Sequence, residues 1–415
     1  MTNKKEELLT PIKIGNLTAP NRIALNAMEC NDADDEGNPT KRTYERYARY
    51  FEGGAGLIDL EAITVTRESR GRLNQLSVMP ENEKALKKFT EEMKKINDRA
   101  VFIWQLTHSG EISHPDFSKR VTVKPHADFG GELLSEKDIE MILDQFVLGA
   151  KIAHECGADG VDIKICHGYL GTQLLRPYND RKWKYGGSFE NRTRFVFEGY
   201  ERVKKEIDDP GFIIGSKISF WEGFPGGFGS AGPDTAVMDN TEPIALVKGL
   251  EERGADYIIV SAGCPSITLA LSQPDRRIPD QVYLHHTFQK TVSDNVSPET
   301  VVIGSAYSIF RDGDNNLQPK VPREKKSLTY WGNKNISDGV CDMIAIGRQT
   351  LADPYLPNKL LSGQQEDIDW CIACDNCIEL LIRQKAVGCV VHNREAAQRL
   401  KEVREKEGRL KFKLT

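Results

Sequence analysis

What this chain lacks narrows its chemistry before any motif is read. No stretch approaches the about 18 consecutive apolar residues of a membrane-spanning helix, and the start, MTNKKEELLTPIKIGNL, has two lysines but no apolar core of the kind a secretory leader needs. These absences predict a cytoplasmic protein without a membrane partner. Positive charge is not in excess either: 56 Lys and Arg against 61 Asp and Glu give a net charge of −5, which offers no general attraction to nucleic acid or anionic lipid. Cysteine is sparse, nine in 415 residues, too few for a secreted disulfide scaffold. A GxGxxG turn behind a strand, the fingerprint of doubly wound dinucleotide folds, is missing as well.

Four of the nine cysteines are nevertheless grouped, as Cys371-x2-Cys374-x2-Cys377-x11-Cys389. Thiolates three residues apart can turn onto one cubane, and a fourth from a later turn completes the ligand set of a 4Fe–4S cluster. A structural zinc site is the alternative, since a cage of four thiolates also uses C-x2-C pairs. Zinc ribbons pair two such units across a gap, whereas here three cysteines share one short stretch and one lies apart, a spacing that favours the cluster and electron handling. Cys30, Cys156, Cys166, Cys264 and Cys341 are scattered beside apolar runs and read as buried, inert thiols.

The 39% hydrophobic content suffices for a large core, and its distribution is regular. Short apolar runs at 22–28, 56–62, 101–106, 160–165, 212–219, 257–262, 301–306 and 343–348 alternate with amphipathic stretches such as 82–98, 136–157, 191–208 and 241–254. Repeated β-then-α order implies a parallel sheet with right-handed crossovers, and eight strands over about 330 residues suit an α/β fold of the (β/α)8 TIM-barrel class. Two long inserts, 221–240 after the fifth strand and 264–286 after the sixth, follow strand C-termini, where barrel enzymes build their sites. We therefore expect a barrel over 1–362 and a C-terminal iron–sulfur segment with a charged helical tail over 363–415.

Within GADGVDIKICHGYLGTQLLRPYNDRKWKYGGSFENRTRF (157–195) the HGYL and YGGS-x-ENR-x-RF blocks resemble the Old Yellow Enzyme family of flavin barrels, and most its iron–sulfur branch. PIKIGNLTAPNRIALNAM, GGAGLIDLEA, QLTHSG and AIGRQTLADP agree in order, so the likeness runs from about residue 9 to 395. The resemblance implies FMN as cofactor. Its phosphate would meet Gly304, Ser305 and Ala306 after the seventh strand and Gly347 and Arg348 after the eighth; the bland alternative pairs Arg348 with Asp353. Lys217 would stabilise the negative charge that the reduced ring carries near N1 and O2, Gln105 would meet its pyrimidine edge, and the peptide at Ala27 and Met28 would pass beside it, with Ala27 standing where many relatives have proline.

The resemblance also implies a catalytic set. Lys164 and His167 take the positions of a carbonyl-polarising pair, though the family usually has histidine where this chain has Lys164; the alternative for Lys164 is an ion pair with Asp162 or Asp59. Tyr169 matches the family's proton donor. A histidine that assists protonation in the dienoyl-CoA reductase branch is replaced here by Pro274, which leaves His285 and His286 as substitutes to be tested. The implied activity is reduction of an activated C=C bond in a small molecule bearing a carbonyl or carboxylate. NAD(P)H would serve directly or through a reductase partner, because larger relatives carry a further C-terminal nucleotide-binding region. Two alternatives stand beside it: an amine dehydrogenase or demethylase, which Lys164 would disfavour by repelling a cation, and an electron-transfer subunit without its own substrate. A homo-oligomer is compatible with the resemblance. Flavin and cluster ligands come from different segments, which predicts that they bind independently.

Overall fold

Eight short β-branched-rich runs become eight parallel strands, and their pairing closes on itself. In the computed structural model, which describes residues 6–125 and 130–410, these are β1 (Ile23–Leu25), β2 (Leu57–Thr64), β3 (Val101–Thr107), β4 (Gly160–Ile163), β5 (Ile213–Ser219), β6 (Tyr257–Ser261), β7 (Val301–Gly304) and β8 (Met343–Ile346). Each pairs in parallel with its neighbours, and Ile344 opposite Ile23 joins β8 to β1 to complete the barrel. All eight apolar runs thus supply a strand. The first is shorter than its run of apolar residues: the Asn26 N–H still donates to the Ile346 carbonyl at 2.9 Å, and from Ala27 the chain leaves the ladder for the barrel's rim.

The helices fall where the amphipathic stretches lie: Glu83–Ile96, Glu136–Glu155, Phe189–Ile207 and Thr241–Glu252. The second starts with a reciprocal cap, Ser135 accepting from the Asp138 N–H at 3.2 Å while the Asp138 carboxylate accepts from the Ser135 N–H at 2.8 Å. Among the described residues no helix is long and apolar enough to cross a membrane.

The two-residue period of a strand then sorts every side chain. Outward-facing Ile58, Leu60, Phe102, Trp104, Ile258 and Val260 pack with the helices in the main core. Inward-facing Ala24, Leu57, Val101, Ile103, Ile213, Tyr257, Ile259, Val301, Ile303, Met343 and Ala345 form a separate apolar layer at the strands' N-terminal ends. A hairpin of Ile12–Ile14 and Leu17–Ala19 closes that end, with Ile14 and Ala19 buried in the same layer. One period further along, the inward positions turn polar: Asn26, Asp59, Gln105, Asp162, Lys164, Lys217, Ser261 and Ser305.

The cysteine segment packs against the rim. The Cys371 N–H donates to Gln349 Oε1 at 2.9 Å, the Val387 N–H donates to the Cys30 carbonyl at 2.8 Å, and Cys30 shares a small core with Cys377, Leu380, Val387, Ala396 and Leu400. Cys30 and Cys166 are both fully buried, and burial, the chief cause, raises both thiol pKa values.

Candidate active site

A cavity of 290 Å³ opens at the C-terminal ends of the strands. Lys164, His167, Tyr169, Ala27, Met28, Gln105, Lys217, Ser305, Ala306, Gly347 and Arg348 all line it. Gly304 does not. It falls on the outward parity of β7, and a Cβ there would come within 2.4 Å of Gln289 Oε1, so its lack of a side chain admits a helix residue rather than a ligand. His285 and His286 are also absent from the wall. His285 Nε2 lies 2.8 Å from the Leu271 carbonyl and His286 stacks on Phe310; burial pushes their pKa values down to about 4 and about 3.

The barrel floor of the cavity is a hydrogen-bonded polar layer. Lys217 Nζ donates to Asn26 Oδ1 at 2.9 Å, and Gln105 Nε2 donates to Asp162 Oδ2 at 2.6 Å. Asp162 also accepts the Lys217 N–H at 2.7 Å. Burial, reinforced by Asp162, raises the Asp59 carboxyl well above the usual range, and burial lowers the Lys217 ammonium. Asn26 was not singled out from sequence. The signal was available, since it sits two residues beyond inward-facing Ala24.

On the opposite wall the chain after β4 turns sharply. His167 has φ 60° and Gly168 φ 77°, and a Cβ on Gly168 would lie 2.4 Å from Cys264 Sγ, so only glycine allows the turn that presents Tyr169. The Ser219 hydroxyl accepts the His167 N–H at 2.8 Å, and His167 Nε2 lies 2.9 Å from Ser261 Oγ. Burial, with Lys217 and Lys164 nearby, drives the imidazole pKa well below its ordinary value, which keeps it neutral.

Lys164 pairs with neither Asp162 nor Asp59. Its Nζ lies 3.3 Å from Glu29 Oε1 and 3.4 Å from the centroid of the Tyr169 ring. Glu29 also accepts the Tyr169 hydroxyl and meets Arg72 Nε at 2.7 Å. Burial raises the Glu29 carboxyl, but Arg72 and Lys164 outweigh it and hold the pKa at about 2. Burial first and Glu29 second push the Tyr169 phenol up to about 12. Glu29 and Arg72 both line the cavity and were missed from sequence, because Arg72 comes from the loop after β2 and its partner from the loop after β1. Lys164 therefore enters the site paired with a carboxylate that it shares with Arg72.

Arg348 is likewise engaged otherwise than with Asp353, which instead pairs with Lys359 at 2.7 Å. Its guanidinium donates to Asp375 Oδ1 at 2.5 Å and to the Pro274 carbonyl. Asp375 stands between Cys374 and Cys377, so Arg348 ties the rim of the 290 Å³ cavity to the cysteine loop. That loop holds Ala373 and Asp375 at φ 48° and 58°, and Cys371, Cys374, Cys377 and Cys389 line one cavity of 20 Å³ beside Arg348. Among the described residues no group of three or more His, Cys, Asp or Glu side chains is placed to hold a single metal ion. The helix Asn376–Ile382 that follows sends Ile378, Leu381 and Ile382 into the wall of the larger cavity.

Residues 7–297 match the NADH:flavin oxidoreductase / NADH oxidase family. The chain is 29% identical over 377 residues to the NADH oxidase of Thermoanaerobacter brockii, covering 88% of this chain and 52% of that protein. It is 27% identical over 395 residues to the N,N-dimethylglycine/sarcosine dehydrogenase of Chromohalobacter salexigens, covering 93% and 52%. It is also 27% identical over 420 residues to the cinnamate reductase of Clostridium sporogenes, covering 94% and 58%. The chain spans just over half the length of these curated relatives. With a matched region reaching from before the first barrel strand to beyond the sixth, the chain belongs to the NADH:flavin oxidoreductase / NADH oxidase family.

Proposed function

We propose that this chain holds FMN at the C-terminal mouth of the barrel and reduces a carbon–carbon double bond conjugated to a carbonyl or carboxylate, with NAD(P)H as electron source, directly or through a reductase partner. The observation that carries the reading is the convergence of a phenol, an ammonium and a neutral imidazole on one cavity wall, in Tyr169, Lys164 and His167. Bound FMN would supply hydride from N5. Lys164 and His167 would hold the activating oxygen and take up the negative charge that builds there as the first carbon receives hydride. Tyr169 would give its phenolic proton to the second carbon, its O–H bond breaking as the new C–H bond forms.

The residues present fit the flavin. Lys217 and Gln105 offer a cation and an amide to the ring, Arg348 a guanidinium to the phosphate, and Ala306, at φ 77°, turns the backbone after β7 toward the cavity. A Cβ on Gly347 would lie 3.1 Å from Met28 Sδ, so the rim there is kept thin. For the 4Fe–4S cluster, the shared cavity of Cys371, Cys374, Cys377 and Cys389 beside Arg348 supports the spacing argument, and the cluster would relay electrons to or from the flavin.

A second reading, oxidation of an N-methylated amine with electrons passed to the cluster, is favoured by Glu29, whose carboxylate on the cavity wall offsets part of the positive charge of Lys164 and Arg72. Anaerobic purification followed by flavin, iron and sulfide analysis, then stopped-flow mixing of the reduced enzyme with enoates and of the oxidised enzyme with N-methyl amines, separates the two. Rapid reoxidation by enoates with no reduction by amines is expected; the reverse pattern would establish the second reading. Iron and sulfide should approach about four per chain, and stoichiometric zinc would overturn the cluster.

A further inference from the structure

We propose that Glu29 is the positioning residue of this site: anchored by Arg72, its carboxylate holds the Tyr169 phenol and the Lys164 ammonium in one arrangement and keeps the phenol protonated until it reacts. The proposal rests on the reading of Tyr169 as proton donor. The geometry is specific. One carboxylate oxygen, Oε1, receives both the Tyr169 hydroxyl and Lys164, while Oε2 is taken by Arg72, so both oxygens are committed and the side chain is 8% exposed.

The charge count gives the arrangement its purpose. Arg72 and Lys164 contribute two positive charges and Glu29 one negative, leaving one in excess while Tyr169 is neutral. When the Tyr169 O–H bond breaks and its proton forms the substrate's new C–H bond, the phenolate left behind brings the set to neutrality. The electron pair of the accompanying hydride comes from reduced flavin, and solvent returns the proton to Tyr169. Without Glu29, two cations would face the phenol unopposed and favour its ionisation before substrate arrives. Glu29 itself carries no proton in the cycle, because the two cations hold its carboxyl ionised, at a pKa of about 2. The other titratable groups facing Lys164 are Asp59, Asp162, Cys166, Lys217 and His167, all on the barrel side, and the Tyr169 hydroxyl is hydrogen-bonded to Glu29 rather than to any of them.

The test is Glu29→Gln in the flavin-loaded protein, which keeps side-chain volume and removes the charge. Ultraviolet titration of tyrosinate should show one tyrosine ionising about 1–3 pH units lower than in wild type, and that transition should vanish in Glu29→Gln/Tyr169→Phe. The oxidative half-reaction of Glu29→Gln should acquire an alkaline limb at the same pH, while flavin reduction keeps its wild-type pH profile. Glu29→Asp should restore the wild-type profile at least in part. An unshifted tyrosine, or a shift that persists in the double variant, would overturn the proposal. If Tyr169→Phe alone leaves the oxidative half-reaction unchanged, the donor reading fails, yet the tyrosinate titration still decides whether Glu29 governs Tyr169. Should Glu29→Gln not fold, infrared difference spectra of wild type against Tyr169→Phe serve: loss of the phenol's hydrogen bond must shift the carboxylate bands, and identical spectra would sink the idea.

Discussion

At Tyr169 the two halves of turnover come apart. Reduction of the flavin needs no phenolic proton, whereas saturation of the second carbon does, so Tyr169→Phe should reoxidise about 10²–10⁴-fold more slowly with substrate while reducing normally, as read by stopped flow. Lys164→Ala should behave differently, raising KM as well as lowering kcat, because its contact with the substrate oxygen exists before and during the reaction. Glu29 adds a signature in stability. Its carboxyl falls from 4.5 to about 2 on folding, so its contribution is fully present above about pH 5 and is lost as pH falls through about 2. The difference in unfolding free energy between wild type and Glu29→Gln should therefore shrink by on the order of 3 kcal/mol as pH falls from about 5 through about 2 in acid-denaturation series. Tyr169, His167 and Lys164 were legible because one local block carries them. Glu29 was not: its partners sit 43, 135 and 140 positions away, and nothing local marks a glutamate for burial.

Strands and helices were readable because hydrophobic period and run length are local properties, and eight apolar runs returned eight strands. The docking of the cysteine segment was not readable in that way. Separation of flavin and cluster ligands in sequence predicts independent binding, but Arg348 joins Asp375 across 27 residues, and the helix after Cys377 supplies part of the wall of the 290 Å³ cavity. These contacts argue for coupled binding instead of modular binding. Cys374→Ser should lose the cluster and also weaken FMN retention, and Asp375→Asn should do the second without the first, both measured by flavin release on anaerobic gel filtration together with iron content. Unchanged retention in both variants would restore the modular picture.

For the molecule as a whole, the barrel divides the work between its two ends. The N-terminal end is apolar and closed by the 12–19 hairpin, so Ile14→Ala should cost about 2–5 kcal/mol in denaturant unfolding while leaving flavin affinity unchanged. The polar layer lies one strand period further along, which is why Asn26, Gln105, Lys217, Ser261 and Ser305 come together from five strands or strand ends. That alternation imposes a phase on the gene as well as on the protein. A single codon inserted within β5 ahead of Ser216 would swing Lys217 out among the helices and carry Ser216 into its place, exchanging an ammonium for a hydroxyl at one stroke. The same codon placed in the 221–240 insert would leave every inward position where it is. Changes of length can therefore accumulate at the mouth of this barrel, where substrates are told apart, while its staves are held to a fixed count.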